Sequence, residues 1–299
     1  MEGIVNVLKP PGMTSSNVVS DLRRIFGQKR IGHAGTLDPG AAGVLPICIG
    51  RATRLFDYLV DKEKTYIAEL CVGAKTDTQD SYGKVTGWSK RSVSEKELLC
   101  VLPEFTGEIL QTVPMYSAAK IGGEALYKLA RSGREAERAP RRVTVRELVL
   151  IDAPGSNRFL LRVRCSKGTY VRTLCEDIGT RLNACAHLSF LLRAESGAFS
   201  QQNAYSIAEL ERLKSEDALE SAMTGMEEAL MHLPALELDP ADAAQKKLLV
   251  NGCALPAPET YRREFEGAAL RVYCGEFLGI ARIDGGVLKM SLLLSEGER

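Results

Sequence analysis

Apolar residues recur at strand spacing in some stretches of this chain and at helical spacing in others, and the two kinds do not alternate regularly. Ile4 to Leu8 reads as a short strand that stops at the turn cluster Lys9-Pro10-Pro11-Gly12. Thr14, Ser15 and Ser16 offer N-caps for a helix in which Val18, Val19, Leu22, Ile25 and Phe26 share a face, closed by Gly27. Gly32 to Gly43 is glycine-rich and reads as a loop, and Val44 to Ile49 is an apolar run. Tyr66 to Gly73 and Phe159 to Cys165 read as strands; Val171, Leu174, Cys175, Ile178 and Leu182 mark one side of a helix. A doubly wound parallel sheet needs strand and helix in strict succession, so this order favours α+β.

The 299 residues are comfortable for two units. Residues 115–146 hold Lys120, Lys128 and six arginines between Gly122-Gly123 and Ala139-Pro140, which suggests a basic helical excursion on flexible joints. An acidic helical stretch ends at Pro234 and Pro240, placing a boundary between His232 and Asp242. Beyond it, Ala269–Val272, Phe277–Ile283 and Val287–Leu294 read as short strands, with Asp284-Gly285-Gly286 as a hairpin turn. The expected organisation is a body over 1–232, carrying the 115–146 insertion, and a small β-rich unit over 233–299.

The net charge of +1 is uninformative until it is resolved along the chain. Lys120 to Arg146 carries eight Lys/Arg against three Glu, and Lys9 to Arg30 five against one Asp; Tyr205 to Pro240 reverses to nine Asp/Glu against two Lys/Arg. Segregated basic stretches suit a polyanion, although solvated helix faces also carry such runs. None of the eight cysteines forms a Cys-x-x-Cys pair and the three histidines are scattered, so no zinc spacing is present. The cysteines sit mostly in apolar runs, as small buried hydrophobes in a reducing compartment do. Nothing at the N-terminus reads as a signal peptide and no apolar run reaches transmembrane length, so a cytoplasmic chain is expected. Neither Gly-x-x-x-x-Gly-Lys-Ser/Thr nor Gly-x-Gly-x-x-Gly occurs, and no cofactor or metal is expected.

Asp38 precedes Pro39, a pair that by itself is as good a turn or helix cap as a catalytic group. Its surroundings are unusual: Gly32, Gly35, Gly40 and Gly43 open the backbone to close approach, and His33 shares the loop. Arg172 falls in the first turn of its helix, where a cation opposes the helix dipole and calls for an anionic partner. Tyr66 suits either the core or a stack on a base.

Five segments bear together. Gly3-Ile4-Val5-Asn6-Val7-Leu8-Lys9-Pro10-Pro11-Gly12 leads to Gly32-His33-Ala34-Gly35-Thr36-Leu37-Asp38-Pro39. Lys64-Thr65-Tyr66 precedes Gly73-Ala74-Lys75-Thr76-Asp77-Thr78-Gln79-Asp80, and Pro114-Met115-Tyr116-Ser117-Ala118-Ala119-Lys120 precedes Tyr127 and Ala130-Arg131. Cys165-Ser166-Lys167-Gly168-Thr169-Tyr170-Val171-Arg172 and Ala186-His187-Leu188 through Leu192-Arg193 to Phe199 complete the series. In this order the set resembles the TruB family of pseudouridine synthases, and the tail resembles, more loosely, that family's PUA-like RNA-binding domain.

The resemblance implies a mixed, largely antiparallel sheet flanked by helices. It implies isomerisation of uridine to pseudouridine at position 55 in the T arm of tRNA, with the target nucleotide flipped out and no obligatory protein partner. Asp38 would be the catalytic carboxylate, as nucleophile or as base, kept ionised by Arg172. Tyr66 would stack on the base and serve in proton transfer, with Tyr170 hydrogen-bonding nearby. His33 would fill the space vacated in the RNA and Leu191 would line the pocket. Lys9, Lys120, Arg131, Arg141, Arg142, Lys167 and Arg193 would contact RNA, the 115–146 segment acting as a mobile thumb. Three positions depart from the family pattern: Gly40-Ala41-Ala42 where Leu, Ala and Thr or Ser are usual, Val113-Pro114 for Pro-Pro, and Leu192-Arg193 for Arg-Arg.

Overall fold

The computed structural model describes residues 1–60 and 62–295; positions 296–299 of the expected tail lie outside the described residues. A ten-stranded sheet dominates. Its main path runs Met223–Thr224, Gly3–Lys9, Ala42–Ile49, Ala186–Ser196, Lys64–Val72, Arg158–Cys165, Pro140–Gly155, Gly107–Thr112. Every neighbour along it is antiparallel except Ala42–Ile49 with Ala186–Ser196, whose parallel register sets Leu192 against Ala42 and Arg193 against Gly43. This is the mixed, largely antiparallel sheet expected.

Two helices flank the sheet where the apolar periodicity places them. Ser15–Phe26 starts on Thr14, whose hydroxyl accepts from the Asn17 amide, and stops at Gly27 in the left-handed region. Its inner face, with Val18, Leu22 and Ile25, packs on Val5, Leu45, Ile47 and Ile49. Val171–Arg181 follows Tyr170 and buries Leu174, Cys175 and Ile178 against Ala68, Leu70, Leu161 and Leu188. Tyr66 and Leu191 pack against both clusters, so they mark the seam where the two halves of the sheet meet.

Two expectations are corrected. Gly32 and His33 belong to a short strand, Ile31–His33, paired with Ile47–Ile49, so the loop begins after His33. The basic excursion is not mainly helical: it holds a two-residue ladder, Lys120–Ile121 with Glu124–Ala125, and the helix Leu126–Arg131. From Pro140 the chain has rejoined the sheet in a 16-residue strand, so Arg141, Arg142 and Arg146 lie on the sheet. The excursion has a small core of its own in Val113, Leu126 and Leu129.

The tail forms a second, five-stranded sheet in the order Ala235–Glu237, Ala269–Tyr273, Phe277–Asp284, Val287–Leu293, Leu255–Pro256, with two short helices, Ala243–Val250 and Glu259–Glu264. Asp284 pairs with Val287 across Gly285-Gly286, the expected hairpin. Ile280, Leu292 and Leu294 of this sheet share an apolar cluster with Ile4, Val44, Cys48, Leu55 and Leu59 of the body. Four of the cysteines are buried, but Cys100 and Cys253 are exposed.

Candidate active site

A cleft of about 870 Å³ opens over the seam of the large sheet. Asp38, Tyr66, Tyr170, Arg172, His33, Leu191, Arg131, Lys167 and Arg193 all line it, having come from five separate parts of the chain. Lys9, Lys120, Arg141 and Arg142 do not.

The loop that carries Asp38 is pinned from several directions. Ser15 Oγ donates to Leu37 O and accepts from Leu37 N, at 3.1 and 3.0 Å. Gly12 N donates to Pro39 O, Ala34 N to Pro46 O, and Ala41 N to Asp38 O. Two buried cations complete the clamp. Lys9, 0% exposed, donates to the carbonyls of Pro10, Met13 and Pro39 at 2.8, 2.7 and 3.2 Å, which occupies all three ammonium hydrogens. Arg193, 1% exposed, donates to Val44 O, Gly35 O and Thr36 O at 2.7, 3.1 and 3.4 Å, and its guanidinium also faces the Tyr66 hydroxyl. Both were expected on RNA; their burial and their carbonyl partners give them a scaffolding use instead. Burial brings the Lys9 ammonium down to about 8, with Asp38 opposing the fall and Arg193 adding to it.

Arg172, 4% exposed, answers the dipole argument: its Nε lies 2.9 Å from Asp38 Oδ2. The pairing is not bidentate. Nη1 donates to Thr78 O and Nη2 to Tyr116 O, both at 2.9 Å, and Nη1 lies 3.7 Å from Asp80 Oδ2. One guanidinium thus joins the Asp38 loop, the 76–80 turn and the base of the excursion. Arg172 does pull the Asp38 pKa down, as expected, but it is outweighed. Burial pushes the Asp38 carboxyl above its ordinary range; Arg172 pulls it down, Asp80 pushes it up and Lys9 pulls it down.

Burial likewise raises the Tyr66 phenol, against the pull of Arg193. His33 is pushed toward its neutral form by burial and by Arg193, and its Nδ1 is buried without a hydrogen-bond partner among the described residues. Tyr170 is locked at the helix entrance by a two-way bond with Gln111: Tyr170 N donates to Oε1 at 2.7 Å and Nε2 donates to Tyr170 O at 3.0 Å. The Arg141 guanidinium sits 4.9 Å above its ring and also donates to Gly168 O. Arg131 lies 5.6 Å from the centre of the Tyr127 ring. Lys120, Arg131, Arg142 and Lys167 are at least partly open to solvent.

Sequence reasoning assigned no role to Thr78, Asp80, Tyr116 or Gln111, which hold Arg172 and Tyr170 in place. Thr78, Asp80 and Tyr116 all lie within segments that carry the family resemblance; Gln111 carries no signal beyond its strand.

Comparison with known proteins agrees with this geometry. The family model described as TruB family pseudouridylate synthase (N terminal domain) matches residues 23–171, and that of the tRNA pseudouridylate synthase B C-terminal domain matches 172–231. The tRNA pseudouridine synthase B of Pelotomaculum thermopropionicum is 46% identical over 263 residues, 85% of this chain and 83% of its own length. That of Geobacillus thermodenitrificans is 42% identical over 279 residues, 91% of each chain. A chain from the solved structure of an H/ACA RNP bound to a substrate RNA containing 2'-deoxyuridine shares the fold, with a TM-score of 0.75 at 24% identity, over 99% of this chain and 86% of that one. The chain belongs to the TruB family of tRNA pseudouridine synthases, enzymes that isomerise uridine to pseudouridine.

Proposed function

We propose that the uridine isomerised is the one at position 55 in the T arm of tRNA, that it is flipped out of its stack into the cleft, and that Asp38 is the carboxylate that acts on it. The observation that carries this is the Arg172–Asp38 pair at 2.9 Å, set beside Tyr66 on the wall of a cleft large enough for a nucleotide.

The reaction breaks the bond between the sugar and a ring nitrogen of the base and rejoins the base to the same sugar carbon through a ring carbon. The joining carbon gives up a proton and the released nitrogen takes one, so nothing is oxidised and nothing is added. Whether Asp38 attacks or abstracts a proton, it acts in its ionised form. Arg172 supplies the counter-charge, and the clamp of Lys9, Ser15 and Arg193 fixes the loop, so that little reorganisation remains when substrate binds. Flipping costs a few kcal/mol in lost stacking. The Tyr66 ring and the apolar edge of Leu191 offer the extruded base a surface that offsets some of this.

Arg131 and Lys167 on the cleft lining, with Lys120 and Arg142 beyond it, suit phosphates of the RNA arm, which is recognised mainly by shape and by its extruded nucleotides. Residues 1–232 would form the catalytic unit, with the 115–146 excursion closing as a thumb, and 233–299 a PUA-like unit that extends the RNA surface. No protein partner is required, and the setting is the cytoplasm.

The test is incubation of the purified chain with an unmodified T-arm hairpin, followed by mass-spectrometric mapping. Pseudouridine at one loop position is expected, and none from Asp38→Ala. No product from the intact chain would overturn the reading; product from Asp38→Ala would overturn the assignment of Asp38.

A further inference from the structure

Gly40 lies two residues beyond Asp38 and carries no side chain. The space is not empty. A Cβ built on Gly40 would lie 2.6 Å from Cζ and 2.7 Å from Cδ2 of Tyr82, and closer still to Cε2. The Tyr82 ring therefore occupies the volume that a side chain at position 40 would take, reaching it from the turn between Ala74–Thr76 and Val85–Trp88.

Despite that contact Tyr82 is 71% exposed, and it lines the cleft. One edge of the ring is laid against the Gly40 backbone and the rest is open. The turn beneath it is stiff. Asp80 Oδ1 accepts from Tyr82 N at 3.0 Å and from Thr78 Oγ1 at 2.6 Å, and Thr76 Oγ1 donates to Asp80 O at 2.7 Å. Ser81 N donates to Leu188 O, fastening the turn to the strand that bears Leu191 and Phe190, another cleft-lining aromatic at 46% exposure. A lone exposed tyrosine on a protein surface means little. A rigidly mounted one beside the catalytic loop, admitted only by a glycine at position 40, is built to present a face.

We propose that Tyr82 is a substrate-binding residue of this enzyme: its ring stacks on a nucleobase of the RNA next to the reacting uridine, with Gly40 as the seat that lets it do so. The inference rests on the reading of the cleft as the uridine site. Consecutive Cα atoms are about 3.8 Å apart, so Gly40 lies within about 7 Å of Asp38. A ring seated on Gly40 is therefore close to the reacting nucleotide, and the base it meets is a near neighbour of the one undergoing chemistry.

The test compares Tyr82→Ala, Tyr82→Leu and Tyr82→Phe with the parent enzyme on the T-arm hairpin. A base–aromatic stack predicts that Ala and Leu raise KM roughly five- to a hundredfold with kcat within about twofold, and that Phe matches the parent. On an Asp38→Asn background, which removes turnover, Tyr82→Ala should weaken binding of a fluorescently labelled hairpin by the same factor. An unchanged KM in the Ala variant overturns the proposal. So does rescue by Leu, or a fall in kcat without a change in KM, either of which would make the ring a prop for the Asp38 loop. Loss of product in the parent enzyme would instead strike the uridine-site reading itself.

Discussion

As the proposed catalytic carboxylate, Asp38 needs its charge whichever way it acts, so its titration should be visible in turnover. Burial and Asp80 raise its pKa against the pull of Arg172 and Lys9, and the net direction is upward. A raised pKa means that the ionised fraction is lost at a higher pH on acidification. The acid limb of kcat/KM should therefore lie above the ~3.9 of a free aspartate. Asp80→Asn removes a like charge and should move that limb to lower pH; a limb that stays put would refute the coupling. Arg172→Lys should cut kcat/KM by about a hundredfold, because one ammonium cannot reach Asp38, Thr78 O and Tyr116 O together and the carboxylate drifts; steady-state kinetics near wild type would contradict it. Arg172 is readable from the sequence because its place against a helix dipole demands an anion. Lys9 and Arg193 read as RNA contacts for a physical reason: a basic side chain looks the same in sequence whether it meets phosphate or buried carbonyls. Most of the carbonyls concerned lie far away, Arg193 reaching back to Gly35 and Val44.

At the scale of elements, periodicity and caps locate the long strands and both flanking helices, since these signals are local. Pairing is not local. The strand Ile31–His33 is too short to show a period, and the parallel contact of Ala42–Ile49 with Ala186–Ser196 joins segments more than a hundred positions apart. The excursion looks helical from its composition, but Gly122-Gly123 turns a hairpin and Gly133 follows the end of the six-residue helix, leaving little room for more. The parallel contact makes its own demand on one residue. Gly43 has φ +114°, and a Cβ there would lie 2.7 Å from Arg193 N and 2.8 Å from Arg193 C. Gly43→Ala must therefore strain its backbone and push apart the central strands Ala42–Ile49 and Ala186–Ser196. It should cost about 2–4 kcal/mol, read as a fall in the denaturant midpoint at unchanged slope. It should also loosen the grip of Arg193 on the Asp38 loop, so residual activity should fall by more than the loss of folded protein; a variant as stable as the parent would disprove the demand.

The whole molecule is joined more tightly than a body with a tethered tail. Pro234 and Pro240 suggest a boundary near residue 232, but contacts across that point are not legible, because shared burial leaves no local signature. Ile280, Leu292 and Leu294 complete an apolar cluster begun by Ile4, Val44, Leu55 and Leu59. Arg271 Nη1 donates to Met231 Sδ at 2.9 Å, and Tyr273 links Arg271 to Glu227 at 2.7 and 2.9 Å. Arg54 reaches Leu293 O at 2.9 Å from the body side. A tail held this way should melt with the body. Leu292→Ala empties a buried site in the shared cluster and should cost about 2–5 kcal/mol. Calorimetry should show that loss as a shift of one cooperative transition by several degrees, with the van't Hoff and calorimetric enthalpies remaining equal. If the tail were merely appended, the same substitution would split off a separate low-temperature transition of the five-stranded sheet and leave the melting of the ten-stranded sheet, and the conversion of uridine, where they were.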